Sequence, residues 1–174
     1  MAQPHEQDSG PDEVDRIVAA WRRERPDLDV SPLEVLSRVS RLARHLDRAR
    51  RSAFEAHGLE PWEFDVLSAL RRSGPPYRLT PGELLRQTMV TSGTMTNRVD
   101  RLAARGLVDR SASSTDRRAV LVGLTDEGRG LVDAALAGLV DHERTFLDQL
   151  SAPQRATLVT TLRRLVAPFE NPAG

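Results

Sequence analysis

Residues 90–125, "VTSGTMTNRVDRLAARGLVDRSASSTDRRAVLVGLT", change periodicity half-way along, and that change decides the fold. In the first half Met95, Val99 and Leu102 recur at spacings of four and three, which puts them on one face of a helix near 92–105. Gly106 ends it, because glycine leaves a helix through the left-handed region without a side-chain penalty. Two short β-prone pieces follow, 107–110 and 119–124, joined by a polar tip. They predict a hairpin with a flexible basic loop.

Working outward, helix starts are marked by capping patterns. Thr80-Pro81-Gly82-Glu83 and Ser31-Pro32-Leu33-Glu34 each pair a hydroxyl with a glutamate three residues on and place proline at the first helical position. Ser151-Ala152-Pro153-Gln154 repeats the spacing, and Thr125-Asp126-Glu127 sets acids at the positive end of a helix dipole. Helices are expected near 12–25, 31–57, 60–72, 80–87, 92–105, 125–149 and 152–167. The fold class is therefore mainly α with a small β-hairpin wing.

Helix 80–87, a tight turn, helix 92–105 and then a hairpin make the order of a winged helix-turn-helix. With Met95, Val99 and Leu102 turned to the core, Ser92, Thr94, Asn97, Arg98 and Arg101 lie on or beside the outward face, with Thr91 and Thr96 at its start. Hydroxyls and free first-turn amides suit phosphate, while Asn and Arg form bidentate contacts with adenine and guanine edges. At the hairpin tip Arg117 and Arg118 can enter a minor groove, with Asp116 holding an arginine in position. Double-stranded DNA is the partner these residues fit.

Composition narrows the classes. The chain has 174 residues, 39% hydrophobic, enough for one sizeable core. No cysteine is present, which removes disulfides, thiol catalysis and thiolate metal sites. The net charge is zero but segregated: residues 1–29 hold eight acids and four arginines, residues 91–118 six arginines and three acids. The four histidines, His5, His45, His57 and His142, are scattered, and no Gly-rich phosphate loop or nucleophile motif occurs. We expect no catalytic residues, no metal and no cofactor. No apolar run approaches the roughly 20 residues of a membrane span, and the acidic N-terminus does not read as a signal peptide, so a cytoplasmic location is expected. A winged-helix protein-interaction module of the anti-repressor kind is the alternative. It would need an acidic or apolar recognition face, and residues 92–98 are polar to basic.

The stretch "LTPGELLRQTMVTSGTMTNRVDRLAARGLVDRSASSTDRRAVLVGLTDEGRGLV", with "FDVLSALRRSG" before it and the D-x-R wing of Asp116 and Arg118 within it, resembles the MarR family of bacterial transcriptional regulators. The resemblance implies a homodimer on pseudo-palindromic DNA, a repressor released by a small ligand. It implies three regions: an N-terminal extension with an extra helix at 1–30, a helical dimerisation region at 31–57 and 125–174, and a DNA-binding lobe at 58–124. Leu131, Leu136, Leu139, Val140, Phe146 and Leu147 form a stripe too wide for one core-facing side, which fits an isologous interface.

The extra segment "PDEVDRIVAAWRRERPDLD", with Val14, Ile17, Val18 and Trp21 on one side, resembles the urate-responsive and trans-aconitate-responsive branch of that family. The resemblance then implies a ligand site at Trp21, Asp65, Arg72, Arg98 and Arg110, where guanidinium forks match carboxylates and stack on flat rings. A small anionic effector follows, purine-like as urate is, a tricarboxylate such as trans-aconitate or citrate, or a phenolic compound. Arg98 lies in both sets, so an effector that draws its guanidinium inward would move the recognition helix.

Overall fold

An aspartate opens the first helix. The computed structural model describes residues 10–88, 91–112 and 120–170, and the chain divides into two units, Met1–Ala49 and Arg50–Gly174. In the first, Asp12 accepts from the backbone of Val14 at 2.7 Å and Asp15 at 3.0 Å, and the Asp15 carboxylate returns to the Asp12 N–H at 2.8 Å. This capping box starts α1 (Glu13–Glu24). Val14 and Val18 of α1 bury against Val30 and Leu33, and α2 (Pro32–Glu55) runs on from there. Arg38 of α2 clamps the cap, donating to Asp12 at 2.9 Å and to Asp15 at 2.6 Å. That guanidinium, helped by the backbone N–H bonds, lowers the Asp12 pKa from 3.8 to about 2.

Ser31 does not cap α2 as its spacing suggests. Its N–H and hydroxyl donate to Asp29 at 3.0 and 3.1 Å, while Glu34 pairs with Arg22 at 2.6 Å. Asp29, just before Ser31, and Arg22, on α1, are competitors that the four-residue pattern leaves out.

The second unit is built around α3 (Pro61–Arg72), in which Val66, Leu67, Ala69 and Leu70 are fully buried. Phe54, at the end of α2, stacks on Phe64 with ring centroids 4.1 Å apart. The core of this unit is shared by β1 (Arg78–Leu79), α4 (Pro81–Thr88), α5 (Ser92–Ala104), β2 (Val108–Ala112), β3 (Val120–Leu124) and α6 (Asp126–Leu147), of which α4, β3 and α6 pack directly on α3; α7 (Ala152–Glu170) closes the order. The expected hairpin is present as β2 and β3, with Arg110 opposite Val122. It is one strand short of the sheet, which is antiparallel in the order β1-β3-β2 with Leu79 opposite Val122. Two residues are too few to show a period of two, so β1 left no pattern in the sequence.

Glycines fix the junctions around α5. Gly106 takes a φ of +72° as α5 ends, and its N–H donates to the Ala103 carbonyl at 2.9 Å. At the start of α6 a Cβ on Gly128 would lie 2.1 Å from the Leu107 carbonyl oxygen, so only glycine lets that helix reach the strand. Thr125 caps α6, accepting from Gly128 N–H at 3.0 Å and donating to the Gly106 carbonyl at 2.8 Å.

The broad stripe of α6 divides in two. Val132, Ala135 and Leu139 enter the core and Leu131 packs against it, whereas Leu136, Val140 and Phe146 are exposed. On α7 no residue is buried, and Leu158, Val159, Leu162, Leu165, Val166 and Phe169 are open to solvent. Among the described residues no helix is long and apolar enough to cross a membrane.

Candidate nucleic-acid interface and effector site

The helix-turn-helix is α4 and α5. Thr80 and Glu83 make the expected capping box, with Thr80 N–H and hydroxyl donating to Glu83 at 2.7 and 2.8 Å. Those bonds lower the pKa of Glu83 and keep it charged. In α5 Met95, Val99 and Leu102 are buried in the core, as their spacing predicts. Thr91, Ser92, Thr94, Thr96, Asn97 and Arg101 are exposed and Arg98 is half-buried. Thr96 is partly occupied, its hydroxyl donating to the Ser92 carbonyl at 3.2 Å.

Thr91 sits at the N-cap without bonding a first-turn amide; its hydroxyl pairs with that of Thr94 at 2.9 Å, and the first turn holds no acid. The leading amides of α5 therefore present an uncompensated positive dipole end beside two hydroxyls and an amide side chain. Asp116, Arg117 and Arg118, expected at the wing tip, lie outside the described residues.

Beside this face stands a group that sequence periodicity did not single out. At the start of α3, Trp62 donates its ring N–H to Glu60 at 2.7 Å, and Arg101 donates to the other oxygen of the same carboxylate at 2.9 Å. The Trp62 ring carries the guanidinium of Arg101 at 4.7 Å and that of Arg98 at 5.5 Å. The Trp62 bond first, and Arg101 second, lower the Glu60 pKa, so it is ionised at neutral pH. One helical turn further, Arg105 pairs with the buried Glu63 at 2.6 Å and also donates to the Gly58 carbonyl at 3.0 Å. Arg98, Arg101 and Arg105 thus follow one edge of α5 along the first turn of α3. Beside Arg98 and Arg101 opens a cleft of about 530 Å³, lined also by Glu60, Trp62, Gly93, Thr94 and Asn97.

The expected effector residues are distributed unevenly. Asp65 feels the charges of Arg50, Arg98 and Arg72; loss of water around its carboxylate raises its pKa, and the three guanidiniums offset that only in part. Arg72 also donates to the Ser68 hydroxyl at 3.2 Å. Arg50 joins this group unannounced, since an exposed arginine on the polar side of a long helix has no distinguishing pattern. Arg110, on β2, is ion-paired with Asp100 of α5 at 2.7 Å. Trp21 belongs to the first unit and is 49% exposed. Within the second unit the aromatic neighbour of Arg98 is Trp62.

A helix-turn-helix whose second helix is backed by a small antiparallel sheet defines a winged helix-turn-helix protein. Residues 57–119 match the MarR family. The chain is 39% identical over 153 residues to the HTH-type transcriptional regulator PecS of Dickeya dadantii, covering 88% of this chain and 92% of that protein. It belongs to the MarR family of transcriptional regulators, which are not enzymes. The structure of a mutant MarR from E. coli complexed with operator DNA is 26% identical, with a TM-score of 0.64 over 79% of this chain and 99% of that one. That of BpsR from Bordetella bronchiseptica, solved for its regulation of DNA binding by 6-hydroxynicotinic acid, is 28% identical, with a TM-score of 0.56 over 74% and 98%.

Proposed function

We propose that this chain is a sequence-specific repressor that binds a pseudo-palindromic operator as a homodimer and is released by a small anionic ligand. The observation that carries it is the open N-terminus of α5, with Ser92, Thr94 and Asn97 exposed and no acid in its first turn. In this reading those residues and Thr91, Thr96, Arg98 and Arg101 meet the major groove. Arg117 and Arg118, supported by Asp116, meet the flanking DNA from the wing. The MarR–operator complex supports the DNA partner by likeness. A gel shift with the intergenic DNA upstream of its own gene should give a complex that weakens steeply with salt, because arginine contacts displace counterions. Asn97→Ala should change the preference among operator variants by about 1–3 kcal/mol at a single base pair. A salt-insensitive association, or none, would favour the protein-interaction module.

The effector reading rests on Asp65, Arg72 and Arg98, which share one electrostatic neighbourhood. Arg110 and Trp21 enter it through the sequence resemblance, Arg110 having to leave Asp100 to take part. BpsR supplies a precedent for regulation of DNA binding by a planar carboxylic acid. A thermal-shift panel of urate, xanthine, trans-aconitate, citrate and a phenolic acid should single out one ligand, since selective binding to the native state raises its stability. Arg98→Ala should abolish that shift. An unchanged shift with weakened DNA binding would assign Arg98 to DNA alone.

A further inference from the structure

Arg101 reaches the recognition cleft with its charge already engaged. Its partner Glu60 is not a loose surface acid: one carboxylate oxygen accepts the Trp62 ring N–H at 2.7 Å, the other accepts Arg101 at 2.9 Å, and the Glu60 N–H is itself held by Glu63 at 2.9 Å. The Trp62 ring supports the same guanidinium from its face at 4.7 Å. An exposed ion pair is weak when both side chains must be ordered to make it. Here the carboxylate is fixed by a second donor and the guanidinium by a ring.

We infer that Glu60, braced by Trp62, is a specificity-determining residue of the DNA interface, pinning Arg101 so that it serves the registered operator complex and not any nearby phosphate. The inference rests on the proposed DNA-binding reading. Binding to arbitrary DNA is driven by cations reaching whatever phosphate lies closest. A pinned arginine meets only the group that correct registration brings to it. Arg98, on the same ring at 5.5 Å, makes no ion pair among the described residues.

The test compares operator and scrambled-sequence affinities of the full-length protein across a salt series. Glu60→Gln keeps an acceptor for Trp62 and removes the charge. It should raise affinity for scrambled DNA roughly three- to tenfold and steepen its log–log salt slope by about 0.9, the increment for one added phosphate contact. Operator affinity should stay within about twofold, so discrimination falls. In an Arg101→Ala background the same substitution should have no effect, because the freed group is then absent. If Glu60→Gln lowers the melting temperature, Glu60→Ser, which supplies a favoured N-cap residue, repeats the measurement. Unchanged discrimination, a parallel loss of both affinities, or an effect that survives Arg101→Ala overturns the inference. A wild-type protein without a salt-dependent complex removes the DNA-binding reading and the inference together, whereas a normal wild-type complex indifferent to Glu60 removes only the inference.

Discussion

At the residue scale, Gly128 and Asp12 show how a single position constrains its surroundings. A side chain at Gly128 would overlap the Leu107 carbonyl at 2.1 Å, and that oxygen is backbone at the end of the recognition segment. Gly128→Ala must therefore push α6 away from β2, and the expected loss is about 1–3 kcal/mol, the usual penalty of overpacking. Urea denaturation measures it; a loss under about 0.5 kcal/mol, the range of an ordinary surface substitution, would show that the junction can yield. Asp12 titrates well below its ordinary value because Arg38 bonds to its charged form. Its folded pKa is depressed, so its contribution to stability is fully present above pH 3.8 and is lost as pH falls through about 2. Carboxyl NMR should place the Asp12 midpoint near the lower value, and Arg38→Gln should return it toward the upper one.

At the element scale, α5 is an amphipathic helix with a third edge. One face is core, one is polar and open, and between them Arg98, Arg101 and Arg105 lean on Trp62 and Glu63 of α3 and on Glu60 at its N-cap. The core face was legible from the sequence because Met95, Val99 and Leu102 keep the helical period. The open face followed by subtraction. The arginine edge was not legible: Arg101 and Glu60 are 41 residues apart, Arg105 and Glu63 are 42, and periodicity reports only what lies on the same helix. The segment "LEPWEF" does place a tryptophan between two glutamates at a helix start, but it reads equally well as ordinary capping. Capping patterns themselves proved uneven. Thr80 and Thr125 act as their spacing suggests, Ser31 loses to Asp29, and Ser151 uses its N–H and hydroxyl to bind Gln154, both at 2.8 Å.

On the scale of the whole molecule, what stands out is apolar surface that the second unit leaves open. Leu136, Val140 and Phe146 on α6 and six large apolar residues on α7 are exposed, more than scattered surface hydrophobics require. The homodimer proposed above would cover them, and two recognition helices related by its two-fold would meet half-sites about one DNA turn, roughly 34–36 Å, apart. Leu162→Glu with Val166→Glu should yield a monomer by light scattering while circular dichroism stays helical. Operator affinity should fall at least tenfold, because the monomer meets one half-site at a time. A dimer that survives both substitutions would move the interface off α7.

The sequence alone determined the helices, their order, the wing and the core face of the recognition helix, all properties set by the spacing of neighbours along one chain. It also carried the resemblance that the comparison with known regulators bears out at the level of the family. Only the tertiary structure decided what each arginine does. All 25 basic residues are arginine and no pattern separates them, yet Arg101 and Arg105 are paired to α3, Arg110 to Asp100, and Arg98 lies between Trp62 and the neighbourhood of Asp65. The reason is range: hydrophobic period is written locally, whereas a charge is assigned by whichever distant element the packed core brings within a few ångströms of it.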